Sequence, residues 1–347
     1  MRENPIGLDG IDFVEFAGPR PEELEALFNR FGFAKVGRHK TKKVDLFRQG
    51  DVTFVLNHET GTFGDRFQKA HGPSICAMAF RVKDAKAAYQ SAKARGARVE
   101  EGARSGYLSQ EPPTMYGIGD SLIYFTDVYG GRHTLLKHDF EIDWGQWDHQ
   151  GKGFFRVDHL TNNVPRGDMQ KWCDFYEGIF NFEERRYFDI KGEKTGLISK
   201  VMMSPCRKII IPINEPTETK SQIQEYLDEY KGSGVQHLAL LTEDICKSVD
   251  GLRKEGVGFL DVPSTYYKMI SDRVPNVTER LDRLEDLRVL VDGDDSGYLL
   301  QIFTKNVIGP IFFEIIQRKG HDGFGEGNFQ ALFDAIERDQ MARGYLA

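Results

Sequence analysis

The chain repeats itself, which limits it to folds assembled from duplicated modules. Residues 75–84, Ile-Cys-Ala-Met-Ala-Phe-Arg-Val-Lys-Asp, lie over residues 235–244, Val-Gln-His-Leu-Ala-Leu-Leu-Thr-Glu-Asp. Each segment reads as a strand followed by an amphipathic helix that stops at a glycine, Gly96 in one half and Gly256 in the other. The opening strands correspond too, with Gly10-Ile11-Asp12-Phe13-Val14 against Arg156-Val157-Asp158-His159-Leu160. Near the end of each half, Leu122-Ile123-Tyr124-Phe125 lines up with Ile311-Phe312-Phe313-Glu314. Four strand-and-helix modules in two domains follow, 1–150 and 151–347, joined by the glycine-rich polar stretch 144–153. At 347 residues the chain is long enough for two separate cores.

The halves differ at three places. His159, His237 and Glu314 fall at nearly equal intervals, each inside a short apolar run that reads as a strand. At the corresponding positions the N-terminal half has Phe13, Ala77 and, within one residue, Tyr124, so that half is expected to hold no metal. A single histidine on a half-buried strand is ordinarily a hydrogen-bonded core residue. Three such side chains at equivalent points of a repeat, facing apolar counterparts in the other half, point instead to a ligand set. Two imidazoles and one carboxylate hold non-haem Fe(II) by one face and leave positions for substrate and O2.

Composition narrows the partners. A formal charge of −7 argues against nucleic acid or an anionic membrane, both of which recruit basic surfaces. The basic run 38–43 reads as a solvated loop. Cys76, Cys173, Cys206 and Cys246 are scattered without CxxC spacing, which favours neither a disulfide framework nor a thiolate zinc site and suits a reducing cytoplasm. The N-terminus lacks the apolar core of a signal peptide, and no run approaches membrane-spanning length.

Five longer segments carry a family resemblance: Val-Asp-His-Leu-Thr-Asn-Asn-Val (157–164), Arg-Tyr-Phe-Asp-Ile-Lys-Gly (186–192), Ile-Pro-Ile-Asn-Glu-Pro (211–216), Phe-Phe-Glu-Ile-Ile-Gln-Arg-Lys-Gly (312–320) and Gly-Phe-Gly-Glu-Gly-Asn-Phe (323–329). In this order they make the chain resemble the 4-hydroxyphenylpyruvate dioxygenases of the vicinal-oxygen-chelate superfamily, over nearly its whole length. The resemblance implies an α+β fold: two domains of paired βαβββ modules, each a curved, mostly antiparallel half-barrel. It implies Fe(II) on His159, His237 and Glu314 and conversion of 4-hydroxyphenylpyruvate and O2 to homogentisate and CO2, within tyrosine and phenylalanine catabolism. A homo-oligomer, dimer or tetramer, is the family expectation.

The resemblance also carries over a substrate shell: Ser199, Asn214, Gln222, Gln236, Gln301, Phe303, Phe324 and Phe329, with Gln301, Asn214 and Phe329 directing the chemistry. Amides and a hydroxyl orient a phenol and a keto acid without adding charge beside a metal. Strand alternation turns Gln236 away from His237, so a structural role stands open there beside substrate contact. Gln222 can equally lie in the first turn of a helix. A hairpin symmetric about Val307 and Ile308 sets Gln301 opposite Glu314. In the tail, Asn328 reads as an N-cap, and Phe329, Leu332, Phe333 and Ile336 follow helical spacing. That helix is either an ordinary packing helix or, by resemblance, a lid whose Phe324 and Phe329 flank the substrate ring.

Three other functions compete. 4-Hydroxymandelate synthase uses the same substrate and metal but hydroxylates the benzylic carbon. Extradiol dioxygenases share the ligand trio but need an acid-base residue beside a catechol, which the other histidines do not suggest. A metal-free binding protein on the same modules fits poorly with an intact triad.

Overall fold

The computed structural model describes residues 2–99 and 104–346. The first sheet comprises β1 (Leu8–Ala17), β2 (Ala34–His39), β3 (Val44–Gln49), β4 (Val52–Asn57), β5 (Ser74–Val82), β6 (Thr114–Tyr116), β7 (Leu122–Thr126) and β8 (Phe140–Ile142). Its spatial order is β6-β7-β5-β1-β4-β3-β2-β8. The second comprises β9 (Phe154–Asn163), β10 (Glu183–Lys191), β11 (Gly196–Met203), β12 (Ile210–Pro216), β13 (Gly234–Thr242), β14 (Leu290–Asp294), β15 (Gly297–Phe303) and β16 (Phe312–Lys319), in the order β10-β11-β12-β9-β13-β16-β15-β14. In both sheets most neighbours are antiparallel; the parallel contacts join the first and last strands of each module, β1 with β4, β5 with β7, β9 with β12 and β13 with β16, and the modules themselves meet through the antiparallel pairs β1 with β5 and β9 with β13. The architecture is therefore α+β.

The helices that follow β5 and β13 start the same way. The Asp84 carboxylate accepts from Ala87 N at 2.8 Å and the Asp244 carboxylate from Lys247 N at 3.0 Å, each filling an unsatisfied first-turn donor. The β-branched and aromatic content of the central strands suits burial on both faces, and Val14, Phe16, Phe54, Leu238, Leu240 and Phe313 are fully enclosed. No helix among the described residues is long and apolar enough to cross a membrane.

The two sheets share packing. The Phe313 ring meets Phe31 edge-on with centroids 4.8 Å apart and lies 6.3 Å from Phe54. Phe313 thereby anchors β16 to the N-terminal core through one face of the strand, and Glu314 turns to the other face. The β15–β16 hairpin departs from the symmetric expectation: Gln301 is opposite Ile316, and Glu314 is opposite Phe303. The connection between the strands contains an Ile308–Ile311 bridge nearer its C-terminal end, which moves the pairing by two residues. A two-residue shift preserves the face, so Gln301 still reaches Glu314 diagonally.

Candidate metal centre and its cavity

His159, His237 and Glu314 come from β9, β13 and β16, three consecutive neighbours in the sheet. Ala239 on the middle strand is opposite both His159 and Glu314, and its methyl group leaves room between them. His159 Nε2 lies 3.1 Å and His237 Nε2 3.4 Å from the same oxygen, Oε2 of Glu314. The two Nε2 atoms are 3.3 Å apart, and one ligand atom from each residue falls within 4.8 Å of the others. The N-terminal sheet uses the same pairing, with Ala79 opposite Phe13 and Tyr124. There the two rings approach to 5.7 Å, and Tyr124 Oη donates to the buried Glu15 carboxylate at 2.9 Å.

What holds the imidazoles lies one residue earlier in each strand. Asp158 is skipped by the β9–β13 ladder between His159 and Val157, and Gln236 is skipped between Val235 and His237. Such bulges break strict alternation and turn the extra side chain toward its neighbour. His159 Nδ1 donates to Asp158 Oδ1 at 2.8 Å, and His237 Nδ1 donates to Gln236 Oε1 at 2.9 Å. Both histidines are thus set with Nε2 facing inward, the tautomer a metal needs. Alternation alone turned Gln236 away from His237, and the bulge corrects that expectation.

Arg318 completes the arrangement. Its Nε and Nη2 donate to the two Asp158 oxygens, each at 2.8 Å, and Nη1 donates to Gly323 O at 2.6 Å. Its guanidinium also lies 5.4 Å from the centre of the Phe324 ring. One arginine therefore links a histidine support to the loop that enters the C-terminal helix.

Charge follows from this geometry. Burial opposes ionisation of Asp158, yet Arg318 and the hydrogen bonds hold it far below the usual carboxylate range. Burial also opposes a charged His159, but Glu314 and Asp158 raise it to about 9. Glu314, despite its burial, is drawn down to about 2 chiefly by His159. Burial, together with the charge of His159, keeps His237 below its ordinary value against the pull of Glu314. The triad without metal thus shares one proton among three inward-facing donor atoms, and a cation at that point replaces the proton. This donor set fits a metal ion.

The triad opens into a cavity with ≈ 400 Å³ of empty space, part of it continuous with solvent. Ser199, Asn214, Gln301, Phe303, Phe324 and Phe329 line it together with the triad. Phe188, Ser199 and Asn214 are successive cross-strand partners over β10, β11 and β12, and Phe188 meets Phe329 edge-on at 5.6 Å. Gln222 and Gln236 line a different groove, beside Tyr226, Thr304 and Arg343. Gln222 opens the helix Gln222–Tyr230, and Gln236 reaches the site only through His237 and a 3.4 Å hydrogen bond from Asn214.

Gln301 ties the carboxylate to the C-terminal helix. Its Nε2 donates to Glu314 Oε1 at 2.8 Å, and its Oε1 accepts from Asn328 Nδ2 at 3.0 Å. Asn328 is not the N-cap expected from the sequence: the helix spans Glu326–Ala342 and is preceded by Gly325 in the left-handed conformation. The Asn328 side chain is occupied by Gln301 and by the Tyr266 hydroxyl 2.7 Å from its Oδ1. Asp158, Arg318, Phe188 and Asn328 escaped the sequence reading as site residues. Phe188 and Ile190 left a readable trace, as alternate apolar residues in the otherwise largely charged 183–191 segment.

Comparison with known proteins identifies the family. The family profile described as "Hydroxyphenylpyruvate dioxygenase, HPPD, N-terminal" matches residues 2–141, and that of the "Glyoxalase/Bleomycin resistance protein/Dioxygenase superfamily" matches residues 156–301. A 4-hydroxyphenylpyruvate dioxygenase of Legionella pneumophila is 50% identical over 349 residues, covering 100% of this chain and 99% of the relative. One from Pseudomonas aeruginosa is 49% identical over 351 residues, covering 99% and 98%. Among solved structures, a mutant of 4-hydroxymandelate synthase from Streptomyces coelicolor superposes with a TM-score of 0.83 at 26% identity, over 97% of this chain and 100% of the other. With half of its residues shared along its full length and both domain profiles in sequence, the chain belongs to the 4-hydroxyphenylpyruvate dioxygenase family of the glyoxalase/dioxygenase superfamily.

Proposed function

We propose that the chain is an Fe(II)-dependent dioxygenase that converts 4-hydroxyphenylpyruvate and O2 to homogentisate and CO2 in tyrosine and phenylalanine catabolism. The observation that carries this reading is a buried His159–His237–Glu314 cluster at the floor of an aromatic cavity, in a chain half identical to relatives of that name. When bound, Fe(II) supplies the two-electron chemistry that couples O2 reduction to loss of the keto-acid carboxylate. The carboxylate leaves as CO2, one oxygen atom enters the new side-chain carboxylate, and the other enters the ring as the side chain moves to the adjacent carbon.

The protein's own work is orientation. His159, His237 and Glu314, two neutral imidazoles and one carboxylate, would hold a divalent ion with a single net positive charge, which suits an anionic keto acid as substrate. Gln301 donates to Oε1 of Glu314 and so turns Oε2 toward both histidines. Asn214 Oδ1 is buried and has no hydrogen-bond partner among the described residues, and a phenol hydroxyl donating to it would satisfy that oxygen. Phe324 and Phe329 flank the ring, and Ser199 and Phe303 shape the wall between these contacts. Gln236 and Asp158 act on the histidines, and Gln222 stands apart from the substrate.

On this reading residues 1–150 form a structural unit and residues 151–347 the catalytic one, in a cytoplasmic homo-oligomer. Four free cysteines are compatible with a reducing compartment.

Anaerobic addition of Fe(II) and 4-hydroxyphenylpyruvate should develop a visible charge-transfer band that His237→Ala abolishes. Admission of O2 should then release CO2 and homogentisate in equal amounts. 4-Hydroxymandelate as the product would overturn the assignment, and a metal-loaded protein without turnover would overturn the enzymatic reading altogether.

A further inference from the structure

Three side-chain amides meet beside His237. Asn214 Nδ2 donates to Asn163 Oδ1 at 3.2 Å and to Gln236 Oε1 at 3.4 Å. Asn163, at the end of β9, is the cross-strand partner of Asn214 on β12, and both are fully enclosed. Taken alone, the pair of asparagines runs equally well in either direction, because each amide has a donor end and an acceptor end. Gln236 breaks that symmetry. With His237 Nε2 turned to the ligand position, the ring proton is on Nδ1, and Gln236 Oε1 accepts it at 2.9 Å. An oxygen fixed there requires the nitrogen of Asn214 to face it. Asn163 presents its own oxygen to the same nitrogen, so both amide hydrogens of Asn214 are engaged.

What remains is Asn214 Oδ1. It is buried with no hydrogen-bond partner among the described residues, on a residue that lines the cavity. Ser199, opposite Asn214 on β11, lines the cavity too, but a hydroxyl can turn to donate or to accept and so imposes no polarity on a ligand. No lysine or arginine lines the cavity among the described residues. A ligand group beside Asn214 therefore meets a fixed acceptor, with no cation near it to hold an anionic oxygen.

We propose that Asn163 is a positioning residue which, with Gln236, holds the Asn214 amide with its oxygen toward the substrate, so that the site selects aryl keto acids bearing a neutral hydrogen-bond donor at the far end of the ring. A ring without such a donor leaves Asn214 Oδ1 desolvated and unpaired, and a site built around a buried acceptor rejects that ligand. A phenolate would set its charge against the same oxygen, so the phenol binds protonated. Asn163 is not part of the cavity lining and acts through Asn214. Its Nδ2 is buried with no partner among the described residues, which puts its contribution in its oxygen. The inference rests on the reaction proposed above and narrows its substrate class.

The test is anaerobic titration of the Fe(II)-loaded full chain, followed by its visible band, with 4-hydroxyphenylpyruvate, 4-aminophenylpyruvate and 4-fluorophenylpyruvate. The first two carry a donor and should bind at least about tenfold more tightly than the third. Asn163→Leu removes the acceptor and frees the Asn214 amide to turn. The preference should fall to about threefold or less, while affinity for the fluoro analogue changes by less than about threefold. Asn163→Asp keeps the oxygen and should keep the preference. A wild type that does not separate the two donors from the fluoro analogue overturns the inference whether or not the variants fold. A preference that survives in Asn163→Leu, or is lost in Asn163→Asp, overturns it as well. In each of these cases homogentisate formed by the wild type leaves the reaction standing. The absence of any band with 4-hydroxyphenylpyruvate overturns the reaction reading and this inference with it.

Discussion

The Asp158 carboxylate accepts a hydrogen bond of 2.8 Å from Nδ1 of His159, the residue that follows it in the chain. A regular strand sends neighbours to opposite faces, and the bulge at Asp158 is what permits the contact. Asp158→Asn should therefore lower metal affinity by about 10- to 100-fold, the usual cost of losing the group that orients a ligand histidine. Gln236→Met removes a neutral acceptor from His237 and should cost less. Chelator competition measures both, and unchanged affinity in Asp158→Asn would show that the His159 ring is held by other means.

Gly325 tests whether the loop before the C-terminal helix must approach Gln301 closely. Its φ of +69° is costly for other residues, and an added Cβ would fall on Gln301 Oε1. Gly325→Ala should displace Gln301 from Glu314 and lower kcat by about tenfold or more, since small misplacements at a reacting centre are expensive. Metal content should stay near that of wild type. Equal kcat in the variant would remove Gln301 from the positioning role.

The ligand triad was legible because strand periodicity and the repeat together isolate His159, His237 and Glu314 from the other polar residues. The cavity lining was legible in part. Ser199, Asn214, Gln301, Phe303, Phe324 and Phe329 converge, whereas Gln222 and Gln236 face a neighbouring groove. What escaped depends on departures from regular geometry. Bulges at Asp158 and Gln236 leave no mark in composition, and the register of β15 with β16 depends on a bridge inside their connection. Arg318 could not be paired with Asp158 from sequence, because the two sit on strands that are not neighbours in the sheet order.

The N-terminal unit contains a buried carboxylate whose protonation should be measurable. Glu15 is enclosed among Asn57, Tyr107 and Tyr124, and burial pushes it up from 4.5 to about 7 despite the hydrogen bonds of those three residues. The folded protein thus keeps a proton that the unfolded chain releases. The associated stabilisation is full below the unfolded value and is lost as pH rises toward about 7, at up to about 1.4 kcal/mol per pH unit. Glu15→Gln cannot titrate, so its melting temperature relative to wild type should rise between pH 5 and pH 8. Parallel melting curves across that range would mean that Glu15 ionises as easily in the folded protein as in the unfolded chain.

Glu337 pins the C-terminal helix to the turn between β10 and β11. Its carboxylate accepts from Glu193 N at 2.7 Å, Lys194 N at 3.1 Å, and Thr195 N and Oγ1 at 2.7 and 2.8 Å. Glu337→Ala leaves those donors unsatisfied and should release the helix, at a cost of about 1–3 kcal/mol. Hydrogen exchange in residues 329–342 should accelerate by about tenfold or more, with the sheet unchanged. Unaltered exchange would place the helix's anchorage in Leu332 and Phe333 instead.

Product analysis under 18O2 tests the central claim most directly, because it reports both the reaction and the site of oxygen insertion. Fe(II)-loaded protein with 4-hydroxyphenylpyruvate should yield homogentisate carrying both labelled atoms, one in the carboxylate and one on the ring, with one CO2 released per product. Labelled 4-hydroxymandelate, or homogentisate without label on the ring, would contradict it.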